Sequence, residues 1–152
     1  MSVAARVLVD TNVLVYSVDS RVPEKQERAL GVMTVLVEHA EGAVSTQVLG
    51  EFYSVLTGKF QGDLRPGIAA QQVRNLVESW NVVPLTPAVV LEAVRGVERF
   101  GLSYYDAQIW AAARVARIEV VLSEDFSDGA VYDGVRFMNP FAPDFDVEPL
   151  LA

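Results

Sequence analysis

The sequence predicts an α/β fold with a central, mostly parallel sheet between helix layers. Three observations carry that prediction. Short apolar runs of strand type recur at residues 6–9, 43–45, 82–83, 119–122 and 135–138, and segments with helical spacing separate them. The first run, RVLV, has no polar/apolar alternation beyond its opening arginine, which suits a strand covered on both faces. The segment 103–116 is apolar almost all round, the pattern of a buried helix.

The elements follow in order. Residues 6–9 form a strand that ends at Asp10, and 19–23 form a loop. Residues 24–41 make a helix with acids in its first turn, Leu30, Met33 and Val37 at helical spacing, and Gly42 as its stop. After the strand at 43–45, a helix runs over 46–60 with Val48, Phe52, Val55 and Leu56 inward. Pro66 opens the next helix, which reaches Trp80. Pro87 opens another, which Gly101 stops. The tail, about residues 139–152, carries three prolines and is expected to be irregular. No repeat or linker divides the chain, so a single domain over 1–152 is expected, and 152 residues bury about two thirds of the unfolded surface.

Composition excludes several chemistries. There is no cysteine, hence no disulfide scaffold, thiolate metal site or thiol nucleophile, and a single histidine, His39, excludes a multi-histidine site. His39 is read as a charge partner late in its helix. No apolar run reaches the ~20 residues that span a bilayer, and no targeting segment is recognisable before Arg6. A soluble cytoplasmic protein without a membrane partner is therefore expected. The net charge is −8, from 20 acidic and 12 basic residues, which by itself argues against a nucleic-acid partner.

The placement of the acids matters more than their sum. Asp10 ends the first strand, and Asp125 lies just past the strand at 119–122, so both belong at the carboxyl edge of the sheet, where α/β folds bind ligands. Asp106 lies in the first turn of the buried helix, on a stripe with Ile109, Trp110 and Ala113. Glu51 is one turn from Val48 and Val55. Each acid alone has an ordinary structural reading: Asp10 as an Asx turn, Asp106 as part of a Ser103 capping box, Glu51 as a helix-flank acid, and Asp125 with Asp128 as a solvated turn. Tyr104 and Tyr105 are read as packing residues. Converging carboxylates, with only Lys25 and Lys59 as lysines, call for a hard divalent cation. An oxygen-only donor set selects Mg²⁺ or Mn²⁺ over zinc.

Three motifs then carry a resemblance. V-L-V-D-T-N-V-L-V-Y at 7–16, S-Y-Y-D-A-Q-I-W-A-A-A at 103–113 and V-L-S-E-D-F-S-D-G at 121–129 resemble, in order, the acid-bearing segments of PIN domains. S-T-Q-V-L-G-E-F-Y at 45–53 is similar to the segment of the family's second acid, and R-F-M-N-P-F at 136–141 extends the match. The likeness is strongest to VapC-like toxins of toxin–antitoxin pairs. It implies a three-layer α/β/α fold and a Mg²⁺- or Mn²⁺-dependent ribonuclease with one or two ions. Carried over by motif, the acids are Asp10, Glu51, Asp106 and Asp125, with Asp128 as a possible substitute for Asp125. Asp10, Asp106 and Asp125 would hold metal, and Glu51 would bind a second ion or orient the attacking water. Thr11, Asn12 and Ser123 match supporting polar positions. The resemblance further implies an RNA substrate, a cognate antitoxin and a homodimer. Two divalent ions would halve the net charge of −8, and ten of the twelve cations are arginines, suited to phosphate. Arg65, Arg95, Arg99, Arg114 and Arg117 are candidates for RNA contacts. Two other readings compete: an RNA-processing nuclease without an antitoxin, and an inactive interaction module.

Overall fold

The computed structural model describes residues 5–58, 64–65 and 67–151. Six strands and six helices follow one another in the order β1 (Arg6–Val9), α1 (Thr11–Ser17), α2 (Pro23–His39), β2 (Glu41–Ser45), α3 (Thr46–Thr57), α4 (Ile68–Ser79), β3 (Asn81–Val83), α5 (Pro87–Phe100), α6 (Tyr104–Val115), β4 (Val120–Leu122), β5 (Val131–Tyr132) and β6 (Val135–Met138). A short 3₁₀ turn, Glu148–Leu150, buries Leu150 near the carboxyl terminus. The strands form one sheet in the order β3-β2-β1-β4-β6-β5. All pairs are parallel except β5–β6. The predicted mixed α/β architecture with a mostly parallel sheet is thus the observed one.

Local chemistry explains most element ends. The Thr86 hydroxyl accepts the Val89 N–H at the start of α5, with Pro87 at the first helical position. Gly101 ends that helix in the left-handed region, φ 68°. The Ser45 hydroxyl caps α3 at the Val48 N–H. Phe60 and Pro66, where the sequence placed a helix end and a helix start, lie outside the described residues.

Three expectations are corrected. Residues 11–17, left unassigned from sequence, form α1, because the Asp10 carboxylate caps the chain as it leaves β1. Gly42 does not stop a helix. The helix ends at His39, Ala40 is already extended, and Gly42 sits in β2, where a Cβ would lie 2.5 Å from the Trp80 ring. The buried face of α2 is Ala29, Val32 and Leu36, whereas Leu30 and Val37 are exposed, so the buried stripe lies one residue round the helix from the one the spacing suggested. Sequence also missed β5. Its hairpin to β6 turns at Asp133 and Gly134, both at positive φ (45° and 83°), an Asp-Gly hairpin signature.

Helices α5 and α6 meet at Gly96, where a Cβ would stand 2.7 Å from the fully buried Trp110 ring. Gly31, on the exposed side of α2, has nothing within 4 Å of a Cβ. Gly31→Ala is expected to raise stability by roughly 0.5–1 kcal/mol through helix propensity. Gly96→Ala is expected to lower it, overpacking of about 1–3 kcal/mol outweighing the same gain. Urea denaturation of both variants checks the opposite signs.

Candidate metal and catalytic site at the carboxyl edge of the sheet

Strands β1 and β4 are parallel neighbours, with Val9 opposite Leu122. From β1 the chain builds β2 and β3 outward on one side, and β4 and β6 lie on the other. The crevice at such a switch point is the ordinary ligand position in an α/β sheet. Asp10 leaves β1 into it, and Ser123, Glu124 and Asp125 leave β4 into it. The Asp10 N–H still donates to the Leu122 carbonyl at 3.0 Å, which keeps the two strand ends in register.

Asp10 is 4% exposed. Its Oδ1 accepts the Thr11 N–H at 2.7 Å, and its Oδ2 accepts the Ser123 hydroxyl at 2.7 Å. Asn12 joins the two strand ends. Its Nδ2 donates to Asp125 Oδ2 at 3.0 Å, to Ser123 Oγ at 3.2 Å and, longer, to Asp10 Oδ2 at 3.4 Å. Its Oδ1 accepts the Glu124 N–H at 3.3 Å. The Asp125 N–H donates to Ser123 Oγ at 3.1 Å. Glu51, half-buried on α3, accepts the Thr11 hydroxyl at 2.9 Å through Oε2. Asp10, Glu51 and Asp125 therefore belong to one hydrogen-bonded cluster, joined through Thr11, Asn12 and Ser123.

Asp106 is not part of this hydrogen-bonded cluster. It is half-buried in the first turn of α6, and its carboxylate has no hydrogen-bond or ion-pair partner among the described residues. Its N–H donates weakly to Ser103 Oγ at 3.4 Å, so the capping geometry is also present. Gln47 ties this turn to the cluster, its Nε2 donating to Glu51 Oε1 at 3.0 Å and to the Tyr105 carbonyl at 3.3 Å. Gln108, buried on α6, donates to Gln47 Oε1 at 2.7 Å. Sequence reasoning passed over both glutamines. The available signal was Gln108, a polar residue in a helix otherwise apolar all round. Asp128 is engaged elsewhere, accepting the Asn139 N–H at 2.9 Å. His39 is exposed and faces Glu38 at 3.7 Å. Arg95 and Arg99 pair with Asp133, and Arg114 donates to the Asp133 carbonyl. Arg114 is eight residues along α6 from Asp106, a rise of about 12 Å.

Burial pushes the Asp10 carboxyl up to about 6, against the opposing hydrogen bonds from Ser123 and Thr11, and the charges of Asp125 and Glu51 add to the rise. Among the described residues no lysine or arginine pairs with Asp10, Glu51, Asp106 or Asp125. A buried carboxylate beside two like charges is costly without a cation. In this arrangement the Asn12 amide bonds both Asp10 and Asp125, and among the described residues no three acidic or histidine side chains are gathered closely enough to hold an ion. The donor chemistry nonetheless fits a hard divalent cation: all oxygen, carboxylate-rich and unneutralised.

A parallel sheet with clustered acids at its switch point defines a class, and the family comparison agrees: the chain belongs to the PIN-domain family, whose model matches residues 7–127. The matched span includes all four acids. Among solved structures, the fold is shared with a DNA-bound VapBC from Salmonella typhimurium, at 16% identity and TM-score 0.65, covering 90% of this chain and 98% of that one. A toxin–antitoxin complex from Klebsiella pneumoniae aligns at 18% identity and TM-score 0.63, over 89% and 98% of the two chains. VapC20 of Mycobacterium tuberculosis, described as a sarcin–ricin-loop-cleaving toxin, aligns at 20% identity and TM-score 0.59, over 86% and 98%. No curated protein matches the sequence significantly. No helix among the described residues is long and apolar enough to cross a membrane.

Proposed function

We propose that this chain is a Mg²⁺- or Mn²⁺-dependent ribonuclease and the toxin of a VapBC-type pair. The observation that carries the reading is Asp10: a buried carboxylate, unpaired by any described cation, bonded into one cluster with Asp125 at the switch point of a PIN-domain sheet. Asp10, Asp106 and Asp125 would hold the ion, and Glu51 would bind a second or orient the attacking water. When bound, such ions supply an activated water and neutralise charge developing on the phosphate. The chain's own residues prepare the site. The Ser123 hydroxyl and the Thr11 N–H each fix one Asp10 oxygen. The Thr11 hydroxyl and Gln47 each fix one Glu51 oxygen, so that carboxylate keeps one orientation. Asn12 holds Asp125 toward Asp10. The toxin assignment and a cognate antitoxin are supported by the shared fold of the VapBC structures; a homodimer is proposed with them on the family resemblance.

Thermal unfolding of metal-free protein against Mn²⁺ tests the site. Wild type is expected to gain roughly 5–10 °C at a hundred times Kd, and Asp106→Asn to lose that gain. Cleavage of RNA by the wild type should then require Mg²⁺ or Mn²⁺ and stop on chelation. No shift in wild type overturns the metal reading. Metal binding without cleavage of any RNA favours the inactive interaction module. Growth arrest on expression, relieved by a neighbouring antitoxin, separates the toxin from an RNA-processing nuclease.

A further inference from the structure

We propose that Lys25, on α2, is a positioning residue for Asp125: by holding Glu124 it pins the turn after β4 that brings Ser123 and Asp125 to the crevice. The consequence for metal binding rests on the site reading above; the pinning itself rests on geometry.

The Lys25 ammonium donates to Glu124 Oε2 at 2.8 Å and to the Tyr16 hydroxyl at 3.2 Å. It also lies 4.5 Å from the centroid of the Tyr16 ring and 5.3 Å from that of Phe141. Those rings meet edge to face, with centroids 4.9 Å apart. One cation thus gathers α1, α2, the turn after β4 and the segment after β6. Ordering a lysine side chain costs rotamer entropy that an exposed ion pair seldom returns. This pair is different in kind. Its side chains are 37% and 22% exposed, and two aromatic rings add cation–π attraction.

Glu124 is held from both ends. Its carboxylate meets Lys25, and its N–H meets Asn12, the residue whose amide bonds Ser123 and Asp125. Released at the carboxylate, residue 124 keeps only the long N–H bond to Asn12, at 3.3 Å, and the turn that carries Asp125 loses its tie to α2. Unpaired, Glu124 also adds a negative charge to the turn that carries Asp125, beside carboxylates that no described lysine or arginine pairs. Lys25 cancels that charge where it arises and leaves the clustered acids for the cation.

The test uses the full chain, metal-free, with amide hydrogen exchange. In Lys25→Met the Glu124 and Asp125 amides are expected to exchange about ten-fold faster, while Val121 and Leu122 in β4 stay protected. Lys25→Arg, which keeps the charge, should stay near wild type. If Lys25→Met does not fold, Glu124→Gln is expected to give the same local acceleration. In the second readout, Mn²⁺ affinity followed by the free-ion EPR signal should fall about ten-fold in Lys25→Met, with no further loss when Glu124→Gln is added. Unchanged exchange at Glu124 and Asp125 in a variant with protected β4 overturns the proposal. Wild type that takes up no Mn²⁺ overturns the metal reading, and the exchange result still decides the positioning role.

Discussion

Asp10→Asn is expected to abolish the proposed RNA hydrolysis and, in the metal-free protein, to raise stability above pH 6. The two effects share one cause. The folded state holds the Asp10 carboxyl near 6, against an ordinary value of 3.8, chiefly because the group is buried. Between those values the folded protein binds more protons than the unfolded one, so stability falls as pH rises through this window. The full loss is about 3 kcal/mol above pH 6, and below about pH 4 the contribution is intact. Asparagine keeps an acceptor for the Thr11 N–H and removes the charge that Asp125 and Glu51 oppose. The variant should therefore exceed wild type by about 1–3 kcal/mol at pH 8, the gap closing toward pH 4. Urea denaturation in chelator at pH 4, 6 and 8 measures it. The difference between the two proteins is the quantity to follow. The reading would be falsified if the gap were the same at all three pH values. Hydrolysis should drop by at least roughly 10³-fold, since the group lost acts as part of a unit.

Trp110→Ala is expected to be the most damaging substitution in the core, at about 3–5 kcal/mol. That is a large part of the roughly 5–15 kcal/mol that holds a domain folded. Trp110 is fully buried, packs on Gly96 of α5 and meets the Phe100 ring edge to face at 5.5 Å. Its Nε1 donates to the Tyr132 carbonyl at 3.0 Å, so it also ties the β5–β6 hairpin to α6. Alanine leaves a cavity and strips that carbonyl of its partner. Phenylalanine keeps most of the ring contact and should cost less than half as much. Equal losses for Ala and Phe in urea denaturation would show that the hydrogen bond, and not the packing, carries the effect.

Some features were legible because their causes are local. Pro87 and Gly101 delimit α5 through a fixed φ and a left-handed turn, and both act within a few residues. The apolar run of β1 and the all-round apolar α6 declare burial without naming neighbours. Asp10 announced itself as the polar residue that ends a buried strand. Where sequence failed, the deciding contact was distant or the signal ambiguous. The phase of α2 depends on what Ala29, Val32 and Leu36 pack against, and Leu30 and Val37 fit the helical spacing equally well. Gly42 looks like a helix stop, yet its lack of a side chain answers the Trp80 ring, 38 residues away.

By itself the sequence determined the alternation of strands and helices, the all-oxygen character of the candidate site and the four acid-bearing segments whose acids fall within the PIN-domain match. These depend on residue type and short-range spacing, which a chain carries openly. Only the tertiary structure decided how the acids relate. It joined Asp10 to Ser123, and Asn12 to Asp125, across separations of 113 residues. It tied the first turn of α6, which carries Asp106, to that cluster through Gln47, and turned Asp128 to the Asn139 backbone. It also raised the Asp10 pKa, because desolvation and like-charge repulsion are properties of a place in the fold and not of an aspartate in a chain.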